Sequence, residues 1–440
     1  MLAAFVRAFR TPDLRNKLLF TLSIIVLFRL GSHLPTPGVS YPLVQNCLES
    51  RDASGDATQG FLNLANLFSG GALLQLSVFA LGIMPYITAS IIVQLLTVVI
   101  PRFEELKKEG QAGTAKMTQY TRYLTIGLAI LQSATLVTFA RNPSSLFGPS
   151  CTNILVDSSF VTILIMVLTM TAGTGLIMWL GELITDRGVG NGMSLLIFLS
   201  IASSFPGALW TIKDNQGWGT FLGVIFLGLF VIAAVVFVEQ SQRRIPVQYA
   251  KRMVGRRMYG GTSTYIPLKV NMANVIPVIF AASLMALPGL IAQFNTDPTQ
   301  TPPAWVQWVQ NNLVSGDTAA YAIIYTALII FFTFFYVSIT FNPTEVADNM
   351  KKYGGFIPGI RAGRPTAEYL NYVITRITVP GALYLAIVSL IPLVAIAAIG
   401  ADQNFPFGGT SILIIVGVGL ETVKQIEAQL QQRHYEGFLR

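Results

Sequence analysis

Groups able to do catalytic chemistry are few in this chain, and they are badly spaced for it. The two histidines, His33 and His434, both fall near the ends of apolar runs. No Walker loop, HExxH pair or Ser/His/Asp set is present. The glycine cluster GVGNG at 188–192 opens a predicted helix and reads as a tight turn, not a nucleotide cradle. Cys47 and Cys151 are the only cysteines, too few and too far apart for a zinc site. No metal or cofactor is implied. Both cysteines fall in predicted loops on one side; a disulfide is one reading and two unrelated free thiols the favoured one. Almost no Asp or Glu lies within an apolar run. A coupled transporter normally keeps such a group at the midplane, despite a cost of at least about 2.5–3.5 kcal/mol. The pattern therefore weighs against coupled transport as well as against an enzyme.

The polar groups inside the apolar runs are uncharged instead: Gln94, and Asn271 with Asn274. They fit ordinary interhelical hydrogen bonds worth about 0.6–2 kcal/mol each, and they fit equally a weakly held seam. Charge gathers in the loops. VEQSQRRIPVQYAKRMVGRRMYGGTSTYIPLKVN carries seven basic residues against one acid, Glu239. It could meet anionic lipid, RNA phosphates or an acidic protein, and a partner site is favoured because topology needs fewer charges. Tyr249, Tyr259, Tyr265 and the β-compatible TSTYIPL suggest an ordered protrusion. The loop FNPTEVADNMKKYGGFIPGIRAGRPTAEYL reads as a second projecting hairpin, with Arg361 between Pro358-Gly359 and Gly363.

The elements that must position these residues are membrane spans. Charged residues are 11% and hydrophobic residues 52% of 440, with a mean hydropathy of +0.59; a soluble domain carries about 25% charge. This is an all-α polytopic membrane protein. Runs of spanning length fall near 18–35, 73–100, 120–140, 155–180, 193–210, 218–238, 272–292, 319–341, 374–399 and 408–425. With these ten spans, 25 lysines and arginines lie on one side, and Arg51, Arg141 and Lys213 on the other; Arg29 sits within the first span. The positive-inside rule then places both termini in the cytoplasm. The start, MLAAFVRAFRTPDLRNK, lacks the marks of a cleaved signal peptide and reads as a basic interfacial helix. Ten spans divide as five plus five, 1–212 and 213–440, so the second half must enter the membrane inverted. Such halves commonly meet at a central pathway.

One stretch stands apart. Phe61 to Phe68 is far short of the roughly 20 residues that span a bilayer, and Ser69-Gly70-Gly71 separates it from the long run to Ile100. A re-entrant element fits this, and so does an amphipathic surface helix before an ordinary span.

GALLQLSVFALGIMPYITASIIVQLLTVV, QYTRY, LITDRGVGNGMSLLIF, VEQSQRRIPVQYAKR, PLKVNMANVIPVIFA, FNPTEVADNMKKYGGFIPGIRAG and FGGTSILIIV resemble the bacterial SecY family, whose members are the channel subunit of the Sec protein translocon. The resemblance implies a protein-conducting channel for secretory polypeptides in the bacterial cytoplasmic membrane, not an enzyme. Residues 61–72 match its plug, among them Phe61, Leu64, Leu67, Phe68, Gly70 and Gly71. Ile83, Ile87, Met193, Ile197, Ile279 and Ile414 match its aliphatic pore ring, with Met193 departing from the usual β-branched residue. Gln94, Asn271 and Asn274 would face the lateral gate. In loops 239–271 and 342–373, Arg243, Arg244, Arg256, Arg257 and Arg361 are implied contacts for the SecA motor ATPase and the ribosome. SecE and SecG subunits, signal sequences, nascent polypeptides and anionic lipids are the other implied partners.

Overall fold

The computed structural model describes residues 9, 11–54, 66, 69–141, 143, 151, 154–157, 159–249, 252–254, 257–259, 263–294, 303–314, 318–399 and 409–436. Residues 1–8 and 10 of the expected interfacial helix lie outside them. From Pro12 the rest of that segment is already part of the first long helix, α1 (Pro12–His33).

The helices that follow are α2 (Tyr41–Ser54), α3 (Met84–Val99), α4 (Pro101–Lys108), α5 (Gln111–Arg141) and α6 (Phe160–Arg187). Next come α7 (Gly192–Asp214) and α8 (Gly217–Gln240), separated where Gly217 takes φ 82. After the loop strands follow α9 (Ile276–Phe294), α10 (Ala304–Val309), α11 (Ala319–Thr340), α12 (Pro343–Lys352), α13 (Arg364–Ile399) and α14 (Gly409–Glu436). Each predicted apolar run coincides with a helix over at least part of its length. Among the described residues six helices are long and apolar enough to cross a membrane, or seven if α3 and α4, bent by 97°, form one broken span. Arg29 and polar ends dilute α1; the apolar part of α14 ends at Glu421.

The chain packs as two compact units, Met1–Leu222 with Asp402–Pro406 and Val418–Arg440, and Gly223–Ala401 with Phe407–Gly417. In the first unit the expected second span needs correcting. The run from Leu73 is not helical until Met84; residues 70–83 form successive turns. Gly70, Gly71 and Gly82 have φ of 68, 89 and 55, and Leu76 has φ 47, values an α-helix cannot contain. Hydropathy sees only that Leu74, Leu76, Phe79, Ala80, Leu81 and Ile83 are apolar and buried. Both a helix and a buried coil satisfy that.

Irregular backbone at membrane depth must find hydrogen bonds inside the protein, and here it does. Leu34 O accepts from Val78 N at 2.9 Å, and Leu76 O accepts from Thr36 N at 3.1 Å. On its other edge segment 34–40 pairs with 154–156, through Ser40 N to Ile154 O at 3.0 Å and Val156 N to Gly38 O at 3.0 Å. The neighbouring helices make room: a Cβ at Gly173 of α6 would lie 2.1 Å from Val78 O, and one at Gly31 of α1 would lie 2.1 Å from the Phe79 ring. Cys47 of α2 and Cys151 are disulfide-bonded, against the expectation of free thiols. Both are buried with Val44, Leu74, Leu76, Leu136, Ile154 and Met166 in one apolar cluster. Folding of α2 and the 34–40/154–156 pairing bring together cysteines 104 residues apart.

In the second unit β1 (Gln242–Tyr249) pairs antiparallel with β4 (Ser263–Lys269). β2 (Arg252–Val254) and β3 (Arg257–Tyr259) form a smaller hairpin beyond them. The second loop is not a second hairpin. It folds as α12 followed by β5 (Gly355–Phe356), and β5 adds to the free edge of β1 through Gln248–Phe356 and Tyr249–Gly355. Two residues are too short a strand to read from sequence, and their partner is over a hundred residues away. The sheet order is β4-β1-β5.

Because Cys47 and Cys151 are tied and buried, a thiol-reactive polyethylene glycol should add nothing to the denatured, unreduced chain and two adducts after reduction. The Cys47→Ala/Cys151→Ala variant should assemble but unfold more readily in detergent, by about 2–5 kcal/mol. Gel mobility and thermal unfolding read the two outcomes.

Candidate functional site

The residues singled out in the sequence fall into four groups. The first is the end of the short apolar stretch. Phe61, Leu64, Leu67 and Phe68 lie outside the described residues, but Asn66 and Ser69–Gly71 form a closely bonded turn. Gly71 N donates to Asn66 O at 2.9 Å, and Ser69 Oγ donates to the same carbonyl at 2.9 Å. Asn66 Oδ1 accepts from Leu74 N at 3.2 Å, and Ser69 Oγ from Leu73 N at 3.0 Å. Gly70 has φ 68, and a Cβ there would sit 3.2 Å from Ser200 Cα of α7, so glycine serves both conformation and clearance.

The second group is the aliphatic set. Ile83 caps α3 and is 2% exposed, and its carbonyl accepts from Ile87 N at 3.1 Å. Ile87 is half-buried. Met193 and Ile197 lie in the first turns of α7, and both are buried. Asn191 fixes that helix start, its Oδ1 accepting from Met193 N at 3.1 Å and Ser194 N at 3.3 Å. The GVGNG cluster is thus a turn plus a cap. Met193 packs against α6: a Cβ at Gly181 would lie 2.4 Å from its sulfur. These four belong to the first unit, whereas Ile279 in α9 and Ile414 in α14 belong to the second and are also buried.

The third group is Gln94, Asn271 and Asn274. Gln94 on α3 is exposed. Asn271 and Asn274 precede α9 and lie outside any helix. Asn271 is 2% exposed, and its Nδ2 donates to Glu239 Oε1 at 2.7 Å and to Asn274 O at 3.2 Å. Asn274 takes φ 51, a conformation asparagine tolerates better than most residues. Glu239 is not part of the loop's charge balance: it ends α8 and is buried. Sequence reading missed this role, and the adjacency of Glu239 to the end of an apolar run was the only signal.

The fourth group is basic. Arg243 and Arg244 are exposed on β1, and Arg244 stacks over the Tyr265 ring at 4.8 Å, a diagonal cross-strand pair. Arg256 lies outside the described residues; Arg257 opens β3, opposite Val254. Arg361 is exposed on a corner between Gly359 (φ 84) and Gly363 (φ 107). Thr366 Oγ1 donates to its carbonyl at 2.8 Å. Just before the corner, Ile357 is buried among Ile245, Leu268, Val337, Leu370, Val373 and Ile374. Arg361 is therefore an exposed cation on a packed base. A further ion pair not anticipated, Arg122 with Glu182, joins α5 to α6 by two hydrogen bonds at 2.9 and 2.7 Å. Among the described residues no cluster of three metal-ligating side chains occurs.

Residues 77–423 match the family model described as SecY. The chain is 67% identical over 446 residues to protein translocase subunit SecY of Streptomyces galbus, with 100% of both chains covered. It is 60% identical over 444 residues to the same subunit of Mycobacterium tuberculosis, again with 100% of both covered. In fold it resembles a solved structure described as a protein conducting channel, at TM-score 0.60 and 17% identity over 94% of this chain and 91% of that one. A structure describing the SecY plug domain as stabilising the closed state of the translocation channel matches at TM-score 0.61 and 20% identity, with the same coverage.

The Glu239 carboxylate should contribute to stability through its bond to Asn271. Glu239→Ala leaves the buried Asn271 amide without its carboxylate and should cost about 1–3 kcal/mol. Glu239→Gln, whose carbonyl can still accept, should cost clearly less. Thermal unfolding of the two variants in detergent separates these outcomes.

Proposed function

The chain belongs to the SecY family of protein translocase subunits, and from that premise we propose that it forms a gated channel for unfolded polypeptides. The observation that carries this reading is chemical. Every pore-ring position holds an aliphatic or thioether side chain, and five of the six are buried. A collar of bulky apolar side chains dewets and blocks ions while offering no charge to hold a passing chain. Residues 61–72 act as a displaceable second barrier hinged at Asn66–Gly71. The halves 1–212 and 213–440 are inverted repeats around the pore.

Such a channel needs no chemistry of its own for membrane substrates. A segment of about 20 Leu-like residues gains roughly 6–12 kcal/mol on entering lipid, enough to leave sideways. Gln94, Asn271 and Asn274 mark the seam. Asn271 already commits its amide to Glu239, which leaves its Oδ1 as the group to offer there. A polar secretory chain gains nothing comparable, so an external motor or the ribosome must drive it. The sheet β4-β1-β5 and the Arg361 corner supply the docking face for SecA and the ribosome, with SecE and SecG as companion subunits. Signal sequences and nascent polypeptides are the cargo, and anionic lipids meet the basic side.

The protein is a multi-pass membrane protein, and we place it in the bacterial inner membrane with both termini cytoplasmic. The charge asymmetry supports this orientation. So does the Cys47–Cys151 disulfide, which belongs to an oxidising compartment.

Arg361 is exposed and makes no ion pair among the described residues, so Arg361→Glu should leave stability unchanged within about 0.5 kcal/mol. Motor-driven secretion into vesicles carrying this variant should fall at least about tenfold. Normal secretion would remove Arg361 from the docking face.

A further inference from the structure

Arg29 is a charge where a charge is costly. It lies within the first apolar run, four residues from the end of α1. A guanidinium at that depth is expected to extend toward the headgroups or to find a carboxylate. It does neither. The side chain is half-buried, and none of the ion pairs among the described residues uses it. Its Nη1 donates instead to two oxygens inside the unit, Gly70 O and Ser203 Oγ, both at 3.0 Å.

Both acceptors are themselves fixed. Ser203 Oγ donates to Ser200 O at 2.8 Å, and Ser200 is the residue against which Gly70 rests. Gly70 sits in the Asn66–Gly71 turn, where Asn66 O and Oδ1 and Ser69 Oγ satisfy the surrounding amides. One arginine on α1 thus ties the base of the short apolar segment to α7. A carbonyl of the turn and a hydroxyl of α7 meet through a single charged donor. Breaking this contact would leave a cation without its acceptors in a low-dielectric setting, so the contact holds most firmly when water is excluded. The arrangement differs from ordinary helix packing, because the group held is backbone of the irregular hinge and not another helix.

We propose that Arg29 is the positioning residue that latches the plug shut, holding Gly70 against Ser203 until a translocating chain displaces it. The proposal rests on the reading of residues 61–72 as the plug. Hydrogen bonds to a charged donor bias a two-state equilibrium by about ten- to a hundredfold, and that is the scale on which loss of the latch should raise opening.

The test is potassium chloride conductance of the full channel complex, reconstituted in planar bilayers without substrate. Arg29→Ala should raise the open fraction at least about tenfold, Ser203→Ala less, and Arg29→Lys should restore most of the closure. Deleting residues 61–72 should leak as much or more, and adding Arg29→Ala to that deletion should change nothing further. Leak in the deletion with none in Arg29→Ala and Ser203→Ala would overturn the latch while leaving the plug standing. No leak in the deletion would overturn the plug reading itself. If Arg29→Ala leaked further on top of the deletion, Arg29 would act on something other than the plug. Should Arg29→Ala fail to assemble, Ser203→Ala and Arg29→Lys decide: wild-type conductance in Ser203→Ala, or full leak in Arg29→Lys, would each refute the latch.

Discussion

Apolar backbone that leaves helical geometry must find its hydrogen bonds within the protein, and the first unit is built around meeting that constraint between residues 70 and 83. The segment is apolar, and its turns satisfy only part of its backbone, as in Ala80 N to Ser77 O and Gly82 N to Phe79 O. Further bonds join it to segment 34–40 on one side, and at its base the turn is closed by Asn66 and Arg29. Segment 34–40 is held in turn by 154–156 and, through α2, by the disulfide. Loops that look dispensable in the sequence are therefore the support of this irregular segment. Glycines on α1 and α6 mark where this coil presses closest to its neighbours.

What could be read from the residues was read where physics acts locally. Apolar runs of about twenty residues located the helices, because burying backbone in lipid forces hydrogen bonding within the segment. The short length of Phe61–Phe68 sets the stretch apart in the sequence. The start of α3 was not legible, because Leu73–Ile83 is apolar for packing reasons whether coiled or helical. The cysteine pairing and the addition of β5 to β1 depend on chain segments a hundred residues apart, and no spacing rule reaches that far. Glu239 was misassigned to a loop because a carboxylate at a helix end looks solvated until its amide partner is seen.

The functional groups show the same division. Apolar positions such as Ile279 and Ile414 carry no signal by themselves, since a gate and a core want the same side chain. The basic corner is different. Arg361 stands out from its glycine and proline neighbours, and the structure adds its setting: Ile357 anchors the corner in a core while Arg361 is exposed. On the reading proposed above, such a channel separates its tasks, with apolar closure inside, polar anchoring at the turn and charge kept for docking.

The central claim is that a polypeptide passes the aliphatic ring. A secretory chain stalled in transit, carrying a photo- or thiol-reactive group, can be offered to channels with a single added cysteine at Ile87 or Ile279. Crosslinks at both positions, lost when the chain is released, are the predicted result. Efficient translocation with crosslinks at neither position would contradict the account.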